Sequence, residues 1–225
     1  MPTQTVLFDI NETVLDLNVL KPKFATYFGN ESHMSTWFSI LLHSSTVCLV
    51  TGTTTDFKSL ALAALKTIAG RLRRNITDEG YHDVLGTFAN LPAHNDIEPA
   101  FKLLKQAGFK LAALSNSSTV LLKSQLSFAG LKDYFDDIIS VERANTFKPS
   151  NAAYQFALQQ LQIKPERARL IATHDWDTHG ALAAGLKAAY VDRTGAPYNV
   201  HYLAPDIVAN NMIDIAQQII VTEGL

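Results

Sequence analysis

Short uninterrupted apolar runs alternate along this chain with longer stretches whose apolar residues recur every three or four positions. Val6, Leu7 and Phe8 form the first short run and stop at Asp9; further runs occupy residues 110–114, 138–141, 170–172 and 188–191, with Ser115, Thr173 and Asp192 at three of their ends. Such runs predict strands buried on both faces. Between them, residues 100–107, 120–129 and 152–161 predict helices, the first two stopped by Gly108 and Gly130 and the third by a polar stretch and Pro165. Glycine ends a helix because it accepts a left-handed backbone, and proline because it cannot continue the hydrogen-bond ladder. The alternation predicts an α/β fold, a doubly wound, Rossmann-like parallel sheet whose crossovers are helical, with a last helix within residues 207–220. Ligands in such folds lie beyond the carboxyl ends of the strands, so the polar residues there lead the candidates for a site.

Residues 17–90 break the rhythm. They predict helices over 20–28, 34–42, 56–72 and 79–89; in the third, Phe57, Leu60, Ala61, Ala64, Leu65 and Ile68 keep close to a 3.6-residue period. The chain thus divides into a discontinuous core, residues 1–16 and 91–225, and a helical insertion, residues 17–90, placed after the first strand as a cap over the strand ends. Trp37 and Phe38 on that insertion either close the cleft or supply a contact for a homodimer.

Composition narrows the partners. The 225 residues are 47% hydrophobic and 18% charged, with 19 basic and 21 acidic side chains and a net charge of -2. No basic stripe is present to neutralise a phosphate backbone, so a nucleic-acid partner is not expected. The single cysteine, Cys48, rules out an intramolecular disulfide and a multi-cysteine metal site. The first residues lack a basic and apolar leader pattern, and no run approaches the roughly 18 apolar residues of a membrane span; a cytoplasmic protein without a membrane is the expectation.

Four motifs sit at the strand ends. In Asp9-Ile10-Asn11-Glu12-Thr13, a carboxylate after a buried strand can attack an electrophilic carbon or phosphorus and form an ester that water later cleaves; Asp9 equally serves a turn, and Thr13 a helix start. Ser115, Asn116, Ser117 and Ser118 offer donors for an anion, or, at Ser117 or Ser118, a helix cap. Lys148-Pro149, with Tyr154 beyond, places a cation where it can hold a second negative charge beside Asp9, though Pro149 at a helix start has a structural role of its own. Thr173-His174-Asp175-Trp176-Asp177-Thr178-His179 concentrates carboxylates, imidazoles and an indole after a strand, without the spacing of a strong metal motif.

Taken in order, these motifs resemble the haloacid dehalogenase superfamily over essentially the whole chain, and within it the L-2-haloacid dehalogenase branch. The resemblance implies a hydrolase in which Asp9 displaces halide from a small 2-haloacid to give an ester. Lys148 would hold the carboxylates, Thr13 brace Asp9, and Asp177 position the hydrolytic water. Asn11, Ser115, Asn116, His174 and Trp176 would face the substrate, with Tyr154 in support. The implied partner is a small organic anion, and no cofactor is implied. Four positions depart from the family pattern. Asn11 replaces the phosphatases' second aspartate and the dehalogenases' usual tyrosine; Thr173 replaces a metal-binding aspartate, His174 an asparagine, and Ser39 a cap arginine that would bind the substrate carboxylate or the halide. Arg71, Arg73 and Arg74 are the nearest replacement cations on the insertion. The alternatives are a magnesium-dependent phosphatase, with Asp9 and Asp175 or Asp177 as ligands, and a non-catalytic protein that binds small anions.

Overall fold

The computed structural model describes residues 3–224. Six strands form one parallel sheet in the order β3-β2-β1-β4-β5-β6: β1 Thr5–Phe8, β2 Lys110–Ser115, β3 Asp137–Ser140, β4 Ala168–Ala172, β5 Lys187–Val191 and β6 Ile207–Ala209. All of β1 and β4 is buried, which is why residues 6–8 and 170–172 are continuous apolar runs rather than alternating ones. The strand order reverses between β2 and β4, on either side of β1, so β1 opens at the switch point where α/β folds place ligands. Helices α5 Ile97–Gln106, α6 Thr119–Phe128, α7 Asn151–Leu161, α8 Asp175–Ala183 and α9 Met212–Glu223 complete the core.

One part of the core differs from the expectation. Residues 207–209 are an edge strand paired with Ala189, Tyr190 and Val191, and the last helix begins only after Asn211, whose side chain caps it by accepting from Asp214 N. Three residues are too few to display a strand period, so this run merged with the helix that follows. The polar cluster after β4 enters helix α8 at Asp175, so His174, Trp176 and Asp177 project in different directions.

The insertion contains α1 Lys21–Phe28, α2 His33–Thr51, α3 Phe57–Arg71 and α4 Asp78–Phe88. Phe24, Phe28, Trp37 and Phe88 pack together, and Trp37 Nε1 donates to the Ala61 carbonyl at 3.0 Å, joining α2 to α3. Trp37 and Phe38 are both buried within the chain, so this pair does not supply the outward face that a dimer contact through it requires. By length and mean hydropathy, 1.2, α2 alone would pass for a membrane span; here Met34, Trp37, Phe38 and Leu41 are buried in the fold.

Candidate active site

The site is built at the ends of β1, β2 and β4. Asp9 N donates to Ile171 O at 3.0 Å and carries the sheet one residue further; the chain then turns sharply, with Val14 N and Leu15 N both on the Ile10 carbonyl. Glu12 occupies the left-handed region, φ 69°, a conformation that costs a side-chain-bearing residue about 1 kcal/mol or more and persists only when neighbours fix it. Those neighbours are His94, with Nε2 2.9 Å from the Glu12 carbonyl oxygen, and Arg193, whose Nη2 donates to Thr13 O at 3.1 Å and which is held by Asp96.

The turn aims Asp9 at three donors. Thr13 Oγ1 donates to Oδ2 at 2.7 Å and accepts from Thr173 N at 2.9 Å, tying the ends of β1 and β4 together. His174 Nδ1 lies 3.0 Å from the same Oδ2, and Lys148 Nζ donates to Oδ1 at 2.8 Å. Burial raises the Asp9 carboxyl, but Lys148 and His174 outweigh it and hold it well below the usual carboxylate range. Asp9 is therefore a buried anion with its geometry fixed before any substrate arrives.

Lys148 is spent on carboxylates and backbone. Its three donors reach Asp9, Leu114 O at 3.0 Å and Asp177 Oδ2 at 2.5 Å. Burial lowers its ammonium, yet Asp177 and Asp9 overcome that and raise it, so the lysine stays charged. Asp177 is raised, first by burial and then against the lysine's pull, because Asp9 adds a like charge. Its other oxygen accepts from Tyr154 Oη at 2.6 Å. Both oxygens of Asp177 are thus occupied, its side chain has no exposure, and it is not among the residues that line the cleft. The geometry fits Asp177 to hold Lys148, with Tyr154 securing its other oxygen.

The Tyr154 hydroxyl reaches Asp177 over a bare backbone. A Cβ at Gly180 would stand 2.6 Å from Tyr154 Oη and 2.7 Å from Pro149 Cβ. Gly180→Ala is expected to lose about 1–3 kcal/mol in denaturant unfolding through this overpacking; stability within a few tenths of a kcal/mol of the parent would show that the contact relaxes freely.

His174 bridges two carboxylates: Nδ1 faces Asp9 and Nε2 lies 2.9 Å from Glu12 Oε2. Burial lowers its imidazole, but the bonds to Asp9 and Glu12 prevail and push it up to about 10. The resting ring is an imidazolium. It is stacked on Trp176 at 5.1 Å and also touches Phe38. Glu12 stands in the first motif, but only the left-handed turn brings its carboxylate to His174, and no sequence spacing announces such a turn.

Asp9, Asn11, Ser115, Asn116, Lys148, His174 and Trp176 come together around one cleft, closed above by Phe38 and Leu42 of α2 and Phe57 of α3. Its free volume is about 10 Å³, room for about one water. Asn11 lies in its wall but spends its amide on neighbours, donating to Ser117 Oγ at 3.1 Å and accepting from Gln125 Nε2 at 3.2 Å. Ser115 Oγ accepts from Ser117 N, and Asn116 Oδ1 from Lys148 N at 2.8 Å, which leaves the Ser115 hydroxyl hydrogen and the Asn116 amide hydrogens for an incoming anion. Ser118 is the cap of α6. Ser39 does not join them. It is exposed, about 100° around α2 from Phe38, and cannot stand in for the expected arginine. Arg71, Arg73 and Arg74 also lie outside the lining, so the cations of the cleft are Lys148 and His174.

The carboxylates that would hold a magnesium ion are engaged by other donors in this structure. Each oxygen of Asp9 and Asp177 accepts from at least one cationic or hydroxyl donor, and Asp175 turns away, accepting from Trp176 N at 2.7 Å and Asn199 N at 3.3 Å. Among the described residues no group of three His, Cys, Asp or Glu is disposed to hold a metal.

The haloacid dehalogenase-like hydrolase family model matches residues 3–185. The chain belongs to this family. It is 30% identical over 201 residues to (S)-2-haloacid dehalogenase 1 of Pseudomonas sp. (strain CBS-3), covering 87% of each chain, and 28% identical to (S)-2-haloacid dehalogenase H-109 of Pseudomonas putida, covering 88% of this chain and 89% of that one. The solved L-2-haloacid dehalogenase of Xanthobacter autotrophicus superposes with a TM-score of 0.90 at 24% identity, over 96% of this chain and 98% of that one. The family, the L-2-haloacid dehalogenase-like branch and the capped parallel sheet inferred from the motifs all stand, and the chain is a hydrolase with an aspartate nucleophile.

Proposed function

We propose that this hydrolase cleaves the carbon–halogen bond of a small 2-haloacid through an ester on Asp9, without a metal. The carrying observation is the Asp9 carboxylate, held anionic by Lys148, Thr13 and His174 at the floor of a cleft whose roof is apolar. Oδ2 accepts from two donors and Oδ1 from one, so Oδ1 keeps a lone pair for attack on the halogen-bearing carbon. Attack forms the carbon–oxygen bond as the carbon–halogen bond breaks and the halide leaves with the electron pair. The free hydrogens of Ser115 and Asn116 receive the substrate carboxylate.

Ester formation erases the charge on Asp9 and with it the strongest reason for His174 to stay protonated. The ring then gives its proton to solvent by way of Glu12, whose side chain is 31% exposed. Neutral His174 takes one proton from the water that attacks the Asp9 carbonyl carbon. Collapse of the tetrahedral adduct breaks the ester, and the second water proton goes to the departing alkoxide. Asp9 carboxylate and His174 imidazolium are restored, with one halide and one proton released per turnover.

Halide release from a panel of short 2-haloacids, with and without EDTA and with an Asp9→Asn control, tests this reading. Release that survives EDTA and is lost in Asp9→Asn is expected. Phosphate release that requires magnesium would replace it with the phosphatase alternative, and anion binding without turnover would leave only a binding protein.

A further inference from the structure

A cleft with room for about one water cannot hold a haloacid of roughly 100 Å³, about three waters' share of liquid volume, unless a wall moves. Two larger cavities abut it. One, about 390 Å³, is separated from the cleft by Phe57 and Asn116 and carries two carboxylates, Asp56 and Glu142. The other, about 270 Å³, is separated by Leu42 and Trp176 and has Lys148 in its floor. His43, Thr46 and Tyr202 stand around it, and none of its lining residues is acidic.

Charge separates the two routes. An anion passing Asp56 and Glu142 meets two like charges close by, whereas the second cavity opposes it with none and leads toward the two cations of the cleft. The second wall is also the easier to move. Leu42 and Trp176 are only partly buried, whereas Phe57 is buried and packs on Phe147.

Building on the dehalogenase reading above, we propose that the cavity between α2 and α8 is the vestibule of the enzyme, a binding site for the small organic anion on its way to Asp9, with Leu42 and Trp176 as its inner gate. The anion waits against His43, Thr46 and Tyr202 and enters when the Leu42 and Trp176 side chains swing apart; the halide leaves by the same opening.

The test places a carboxylate in each cavity in turn. His43→Asp is expected to lower kcat/KM for 2-chloropropionate about 3- to 10-fold at about 0.01 M ionic strength, where the Debye length is near 30 Å, and by nothing measurable at about 1 M, where it is near 3 Å. Its kcat stays unchanged, because no reacting atom touches His43. Thr55→Asp in the other cavity leaves both constants alone. A salt-dependent loss in Thr55→Asp instead, or in neither variant, overturns the vestibule. If the parent enzyme releases no halide, the dehalogenase reading fails by itself. The same comparison is then made on the association rate of propionate followed by tryptophan fluorescence, where equal rates in His43→Asp and parent overturn the route.

Discussion

Replacing Lys148 with methionine is expected to abolish turnover and to remove about 3–5 kcal/mol of stability at neutral pH, read from chemical denaturation. Among the described residues the lysine is the one side-chain cation that bridges Asp9 and Asp177, and all three groups are nearly without exposure. Methionine fills much the same space, so the loss measures charge rather than a cavity. With the ammonium gone, two buried carboxylates face each other, and the cheapest relief is a proton on one of them. Asp177, already raised by burial, takes it first. The raised Lys148 sets one sign: its contribution is complete below the unfolded lysine value of 10.5 and is lost only as pH rises through the still higher folded value. Asp177 sets the other. In the variant it loses its cation while Asp9 keeps His174 and Thr13, so Asp177 stands further above the unfolded 3.8, and the variant recovers relative to the parent as pH falls toward 4 and that carboxyl takes its proton. A stability gap independent of pH would show that the lysine acts by packing alone.

The framework that places this triad was legible wherever burial was complete. The middles of β1, β2 and β5 and the last three residues of β4, beyond the buried Arg169, are apolar because neighbours cover both faces, and a polar residue stands at the carboxyl end of each strand. The edge strand β6 was not, since three residues with an exposed Val208 in the middle carry no distinguishing pattern. Helix α2 runs nine residues past its expected end at residue 42. Its Ser45, Thr46 and Thr51 look like a polar break, yet their hydroxyls donate back to Leu42 O and Val47 O and let the helix continue. Within the site, Asp9, Thr13, Ser115, Asn116, Lys148, Tyr154, His174, Trp176 and Asp177 are neighbours because each lies between the end of a strand and the first turns of the helix that follows. What motif order cannot supply is direction. A one-residue step on α2 turns Ser39 to solvent and Phe38 to His174, and a single left-handed residue carries Glu12 beneath the ring.

Direction also decides which half of the reaction each residue serves, and His174→Asn separates the halves. The variant is expected to release about one equivalent of halide per site and then to turn over some 10²- to 10⁴-fold more slowly, the usual worth of a positioned general base. Asp9 keeps Lys148 and Thr13, so the attack survives; asparagine cannot take a proton from water, so the ester persists and intact-protein mass spectrometry finds it on Asp9. The pH profile carries a second signature. In the resting enzyme His174 is held at about 10 by Asp9 and Glu12, and its contribution to stability is complete below the unfolded value of 6.5 and lost as pH rises through about 10. In the ester form the Asp9 charge is gone and Glu12 alone holds the proton, so the ring titrates lower and kcat of the parent rises with pH through that value. His174→Asn has no such rise. A variant that turns over at the parent rate, with the parent pH profile and no accumulated ester, would remove His174 from the hydrolytic step and return the search for the base to Asp177, which has to break from Tyr154 or Lys148 before it can touch a water.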